Sequence, residues 1–232
     1  MTSPGAVLFD IDGTLVDSNY LHVHAWTQVF RETGRSVDAW RVHRGIGMGS
    51  GLLLAELLGE QDAEEAGEEL KDRHAEAYAE LAELQQVFPG AQDLVRVVAE
   101  HGAATVLATS AAPTEVERLQ ELLGLDDVLT GITSDKDVEE AKPEPDLIRA
   151  ALDIAGVPPE RAVMVGDSVW DVQAAARAGV ACVAVLTGGT SEAELRDAGA
   201  VAVYPDVAAL LAGLDDSPLA AAWTGAGAPP SA

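Results

Sequence analysis

Asp10 and Asp12 stand two residues apart at the end of the apolar run "AVLFDIDGTLV", with Gly13 and Thr14 directly behind them. On an extended backbone, residues i and i+2 point to one face, so the two carboxylates would look into the same small volume. Like charges that close raise one of the pKa values unless a cation lies between them. Other apolar runs also end in polar residues. Thr109 and Ser110 close "ATVLATS", and Asp167 and Asp171 lie in "GDSVWD" behind "AVMV". Lys142 opens the helix read in "KPEPDLI", in a chain whose other lysines are Lys71 and Lys136.

Carboxylates that offer only oxygen suit a hard cation, and Mg²⁺ takes one or two of them together with phosphate oxygen and water. Such an ion would also remove the repulsion between Asp10 and its neighbours. Thr109, Ser110 and Lys142 supply hydroxyl, backbone N–H and ammonium donors that fit a phosphoryl group. Gly13 permits a sharp turn that aims amides at an anion. A carboxylate beside Mg²⁺ can attack phosphorus and become an aspartyl-phosphate. A second carboxyl two residues on can protonate the leaving oxygen and then activate water.

These residues need a scaffold that gathers strand ends. Near-continuously apolar runs at 6–11, 104–110, 162–167, 181–188 and 200–204 read as strands covered on both faces. Amphipathic stretches at 91–102, 113–125, 143–156 and 168–180 read as the helices between them, with Gly102 and Gly124 as stops and Pro113 as a start. This alternation predicts an α/β, doubly wound, Rossmann-like parallel sheet, whose ligands bind beyond the carboxyl ends of the strands. Residues 17–86 break the rhythm and read as an inserted all-helical cap. The core is then 1–16 and 87–215. Residues 216–232, rich in Ala, Gly and Pro, are expected to form a flexible tail.

The chain has 232 residues, 48% of them hydrophobic, and a formal net charge of −25. That balance argues against nucleic acid and anionic membranes as partners, and any anionic substrate needs a local positive device. Cys182, in "VACVAVL", is the one cysteine and reads as a buried, inert thiol. With no basic-apolar leader and no bilayer-length apolar run, the expected compartment is the cytoplasm. A monomer or small homo-oligomer is expected.

The four polar segments, in this order, resemble the motifs of the haloacid dehalogenase-like phosphatase and phosphomutase superfamily, in its phosphoglycolate phosphatase and β-phosphoglucomutase branch. "DIDGT" looks like the first motif, "LATS" the second, "KPEPD" the third and "GDSVWD" the fourth. The likeness runs to about residue 210 and includes a helical cap after the first motif. It implies Asp10 as nucleophile and Asp12 as general acid and base. Thr109 would bind the phosphoryl group, with the Ser110 backbone helping, and Lys142 would neutralise nucleophile and phosphate. Mg²⁺ would be held by Asp10, the Asp12 carbonyl and Asp167, with Asp171 acting through the ion's water shell or orienting its neighbours. The implied reaction is hydrolysis of a small phosphorylated metabolite, with the cap closing over it.

Each piece has a plainer alternative. A Ca²⁺ loop is rejected because Gly13 is fourth and Leu21 twelfth, where glycine belongs sixth and glutamate twelfth. "RGIGMGSG" (44–51) lacks the Gly-Lys-Ser/Thr ending of a phosphate loop and reads as a cap loop. Arg44 in it is a candidate substrate contact, with a surface arginine an equal alternative. His22 is the candidate that a mutase-like hinge histidine would match, against a structural histidine. Trp26, Trp40 and Tyr78 read as cap core, and "DAEEAGEEL" as a solvated helix face. The rivals to a phosphatase are a sugar-phosphate phosphomutase and a non-catalytic phosphate- or partner-binding protein. A dehalogenase is disfavoured because that branch lacks the second acid, which Asp12 supplies here.

Overall fold

The computed structural model describes residues 5–109, 111–134 and 140–224. Its strands are β1 (Ala6–Phe9), β2 (Val16–Asp17), β3 (Gln86–Val87), β4 (Ala104–Leu107), β5 (Gly131–Ile132), β6 (Ala162–Gly166), β7 (Ala181–Val185) and β8 (Ala202–Tyr204). Six of them form one sheet in the order β5-β4-β1-β6-β7-β8, and its neighbouring strands pair in parallel. Ala6 lies beside both Ala104 and Ala162, so β1 is central and in register with β4 and β6. Chain order runs outward from β1 to β5, then returns to β6 and runs the other way. The strand order therefore reverses between β1 and β6, the switch point beyond whose carboxyl ends ligands bind in such sheets.

The chain divides into two compact units, Met1–Val16 with Val87–Ala232, and Asp17–Gln86. The second unit is helical: α1 (Asn19–Glu32), α2 (Ala39–Gly45), α3 (Ser50–Leu58) and α4 (Glu60–Ala79). Val23, Trp26, Val29, Phe30, Leu54 and Leu70 form its core. In α4, Gly67 and Leu70 are buried while Glu64, Glu65, Glu68 and Glu69 are exposed, as expected for the acidic run. Trp40 departs from expectation. It is 67% exposed, because the seven-residue α2 turns only Val42 and Gly45 inward.

The first unit carries α5 (Ala91–Glu100), α6 (Pro113–Leu123), α7 (Asp146–Ala155), α8 (Val169–Arg177), α9 (Glu192–Asp197), α10 (Val207–Ala212) and α11 (Ala221–Thr224). Alternation along β1 sends Val7 and Phe9 to one face and Ala6 and Leu8 to the other. The first face packs on Leu94, Val95 and Val98 of α5, Leu119 and Leu123 of α6, and α10. The second packs on Leu147, Ile148, Ala151 and Leu152 of α7, Val172 and Ala175 of α8, and Leu195 of α9. Both faces of β1, β6 and β7 are buried, which is why these strands read as unbroken apolar runs. Cys182 on β7 is buried as expected, and burial pushes its thiol well above the ordinary range.

Two expectations need correction. Residues 216–224, taken from composition as part of a loose tail, form a 3₁₀ turn at Pro218–Ala220 and then α11. Leu219 and Ala222 belong to the core, and the Gly5 N–H donates to the Ala222 carbonyl at 2.6 Å. Residues 225–232 lie outside the described residues. Helix α7 starts at Asp146, so Lys142 stands on the turn ahead of it rather than in its first turn. Among the described residues no helix is long and apolar enough to cross a membrane.

Candidate active site

The site begins where β1 stops. Asp10 still follows the ladder, its N–H donating to the Val165 carbonyl at 2.9 Å. The chain then folds back on itself: the N–H groups of Thr14, Leu15 and Val16 all donate to the Ile11 carbonyl. Gly13 makes this possible with φ +75°, a conformation that costs an L side chain strain. Asp10 is buried and Asp12 half-buried on the two sides of the turn's start. One strand over, Asp167 follows β6 and is also buried. Ser168 then caps α8 in a capping box with Asp171, accepting from the Asp171 N–H and donating to its carboxylate at 2.6 Å. Gly166 leaves room for this arrangement, since a Cβ there would lie 2.5 Å from that of Asp171.

Lys142 ties the segments together. Its ammonium donates to Asp10 Oδ1 and Asp171 Oδ1, each at 2.6 Å, and the side chain is 4% exposed. Thr14 makes a second tie, its hydroxyl 3.0 Å from Asp167 Oδ1 and 3.4 Å from Asp10 Oδ2. Burial lowers the affinity of an ammonium for its proton, but the charges of Asp10 and Asp171 outweigh it, so Lys142 is held cationic. Burial, reinforced by the carboxylates of Asp171 and Asp12, pushes Asp10 up to about 8 against the pull of Lys142. One ammonium thus faces a cluster that remains rich in carboxylate.

That imbalance is what a divalent cation would relieve. Asp10, Asp167 and Asp171 each offer a carboxylate oxygen within 4.8 Å of the others. The donors are oxygens only, which fits a hard ion such as Mg²⁺. Asp171 already gives one oxygen to Lys142 and the other to Ser168. Asp10 likewise accepts from Lys142 and Thr14, and Asp167 from Thr14, so all three carboxylates would share such an ion, and the Asp12 side chain is not part of this cluster.

Thr109 is buried beyond β4, at the same sheet edge. Its hydroxyl accepts from the Ala111 N–H at 3.1 Å, and its carbonyl accepts from the Thr133 hydroxyl at 2.7 Å. Ser110 lies outside the described residues. His22 and Arg44 belong to the second unit. His22 stacks on Tyr78 at 3.8 Å and meets His74 at 3.3 Å, while Arg44 is exposed in the last turn of α2. Sequence reasoning missed the polar roles of Thr14 and Ser168 and the close approach at Gly166. For Thr14 the one available signal was its place in "DIDGT", where a buried hydroxyl beside two acids needs an acceptor.

The comparisons point one way. A hydrolase family model, haloacid dehalogenase-like hydrolase, matches residues 4–179. A phosphoglycolate phosphatase of Pseudomonas putida is 33% identical over 222 residues, covering 93% of this chain and 81% of that protein. The crystal structure of a hydrolase from Pseudomonas syringae superposes with a TM-score of 0.86 at 36% identity, over 91% of this chain and 98% of that one. CbbY from Rhodobacter sphaeroides, solved in complex with phosphate, gives a TM-score of 0.72 at 29% identity, over 91% of this chain and 99% of that one. With Asp10 from the end of β1 and Asp171 from α8 meeting one buried lysine at the switch point of such a sheet, the chain belongs to the haloacid dehalogenase-like hydrolases.

Proposed function

We propose that the protein is a Mg²⁺-dependent phosphatase that hydrolyses a small phosphate monoester through an aspartyl-phosphate on Asp10. The observation that carries this reading is the buried Lys142 held at 2.6 Å from both Asp10 and Asp171, with Asp167 beside them. When bound, the divalent ion would supply charge neutralisation for the phosphoryl oxygens and for Asp10. Lys142 acts in the same sense and pulls Asp10 toward its ionised form against the effect of burial.

An Asp10 oxygen attacks phosphorus, and the bond from phosphorus to the ester oxygen breaks. Asp12, as the acid, gives its proton to the departing oxygen, so an alcohol leaves. The Asp12 carboxylate then takes a proton from water as that water attacks the phosphorus. The Asp10–phosphorus bond breaks, phosphate departs and Asp10 is free again. Thr109 and the Ser110 backbone hold the non-bridging oxygens. Asp171 fixes the position of Lys142.

The names of the relatives support a short, carboxylate-bearing monoester, with phosphoglycolate the first compound to try. The test is phosphate release from a panel of phosphorylated metabolites, with and without Mg²⁺. Release from phosphoglycolate or related esters, dependent on Mg²⁺, is the expected result. Turnover only of a sugar phosphate primed by a bisphosphate would indicate a phosphomutase instead. No release by folded protein, across metals and pH, would indicate a non-catalytic binding protein.

A further inference from the structure

The segment "LTG" (186–188) after β7 reads in the sequence as the end of that strand. It instead leaves the sheet at Val185 and forms a 3₁₀ turn, Leu186–Gly188. Two contacts give that turn a purpose. The Thr187 hydroxyl donates to the Gly13 carbonyl at 2.5 Å, across 174 positions of chain. Gly188 is buried directly against Asp167: a Cβ there would lie 2.5 Å from the Asp167 Cγ and would overlap Oδ2. The other oxygen of Asp167 accepts from the Thr14 hydroxyl. The Asp167 carboxylate is therefore hydrogen-bonded by Thr14 at Oδ1 and closely approached by Gly188 at Oδ2. The turn that carries Gly13 and Thr14 is in turn fastened to Thr187.

We propose that Thr187 and Gly188 are positioning residues, a bracket from the end of β7 that sets the Asp167 carboxylate and the Asp12–Thr14 turn relative to one another. The proposal rests on the phosphatase reading above. β7 adjoins β6, and β6 adjoins β1, so a turn at the end of β7 reaches both acid-bearing strand ends. Gly188 works by having no side chain, and Thr187 by its hydroxyl alone. A bracket of this kind matters because a hard cation tolerates little error in the placement of its carboxylates. Partners that orient metal ligands typically contribute roughly 10–100-fold in affinity or activity.

The experiment compares Thr187→Val, Thr187→Ser and Gly188→Ala with the unaltered protein. Three quantities are read: the Mg²⁺ dissociation constant by calorimetric titration of the ion alone, kcat and KM for p-nitrophenyl phosphate, and the melting temperature in EDTA. Thr187→Val keeps the shape and removes the donor. It is expected to weaken Mg²⁺ binding and lower kcat by roughly 10-fold or more, with KM moving less and the EDTA melting temperature little changed. Thr187→Ser is expected to restore both, and Gly188→Ala to lose at least as much as Thr187→Val. If Gly188→Ala does not fold, the valine and serine variants decide. Mg²⁺ affinity and kcat at the unaltered level in Thr187→Val overturn the proposal, as does a serine variant as impaired as the valine one. Failure of the phosphatase reading looks different: the unaltered protein itself then binds no Mg²⁺ and releases no phosphate, which overturns both.

Discussion

The Lys142 ammonium rests 2.6 Å from the Asp10 carboxylate, a residue 132 positions away in the chain. Both side chains are buried, and Asp171 receives the same ammonium. Removing one member of a buried ion pair leaves the others desolvated and uncompensated. Lys142→Met is therefore expected to cost roughly 3–5 kcal/mol of stability and to abolish turnover, with Mg²⁺ recovering part of the stability but not the activity. Urea unfolding with and without Mg²⁺ checks this, and an unfolding midpoint unmoved by the substitution would show that Lys142 is not holding the acids together.

The two acids of the first turn should fail in different ways. Asp10→Asn keeps the size and hydrogen-bonding capacity but cannot attack phosphorus, so turnover should vanish with the fold retained. Asp12→Ala should slow turnover by roughly 10²–10⁴-fold, the range of general acid and base catalysis. Leaving-group pKa separates the roles. The Asp12→Ala loss should shrink with p-nitrophenol, which departs without a proton. Appreciable turnover by Asp10→Asn would remove it from the nucleophile's role.

Much of this was readable because the central strands are buried on both faces. In β1, β4 and β6 the apolar residues run together, so the polar residues that end each run stand out, and Asp10, Thr109 and Asp167 do lie at one sheet edge. The illegible parts are those whose partners are remote. Thr14 and Thr187 reach acceptors 153 and 174 positions away, which no local pattern records. β5 is two residues, Gly131–Ile132, placed by its register with Val106 and Leu107 rather than by any periodicity of its own. The segment after Asp216 misled through composition, since a lone Leu219 and Ala222 carry no period yet pack completely. Trp40 misled through residue type, because a short helix can leave an aromatic ring in solvent.

Mg²⁺ should stabilise the folded chain in proportion to its occupancy. An ion that binds only the native state at about a hundred times its dissociation constant contributes about 2.7 kcal/mol. The melting temperature in excess Mg²⁺ is expected to exceed that in EDTA. Asp167→Asn should abolish the difference, because an amide is a much weaker ligand for a hard cation. An equal rise in that variant would place the ion elsewhere.

In the helical unit, Arg35 clasps Asp62 with Nε and Nη2, at 3.0 and 2.7 Å. The hydrogen bonds from Arg35 hold the Asp62 carboxyl below its ordinary 3.8. A depressed carboxylate pKa means that the unfolded chain binds the proton more readily, so stability rises with pH across the interval between the two pKa values. The contribution is present at neutral pH and is lost as pH falls through the folded value. Arg35→Gln should therefore lie below the parent in urea midpoint at neutral pH, with the gap closing under acid conditions below 3.8. The gap should also narrow in high salt, since the pair is partly exposed. A gap independent of pH would assign the effect to packing of the arginine stem.

The end of the described chain gives a direct test of core membership. Leu219 is fully buried in the core of the first unit. The Ser217 hydroxyl accepts from the Leu219 N–H, and Trp223 stacks on His101 with ring centres 4.6 Å apart. Truncating a buried leucine removes its transfer free energy and leaves a cavity, so Leu219→Ala is expected to cost roughly 2–5 kcal/mol. Leu84, 59% exposed, serves as the control, and Leu84→Ala should change stability by no more than about 0.5 kcal/mol. A chain ending at Asp216 should lose more than Leu219→Ala, because the Ala222 carbonyl also vanishes from the Gly5 N–H at the start of β1. Equal small losses at Leu219 and Leu84 would mean that the segment after Asp216 rests on the sheet without contributing to its core.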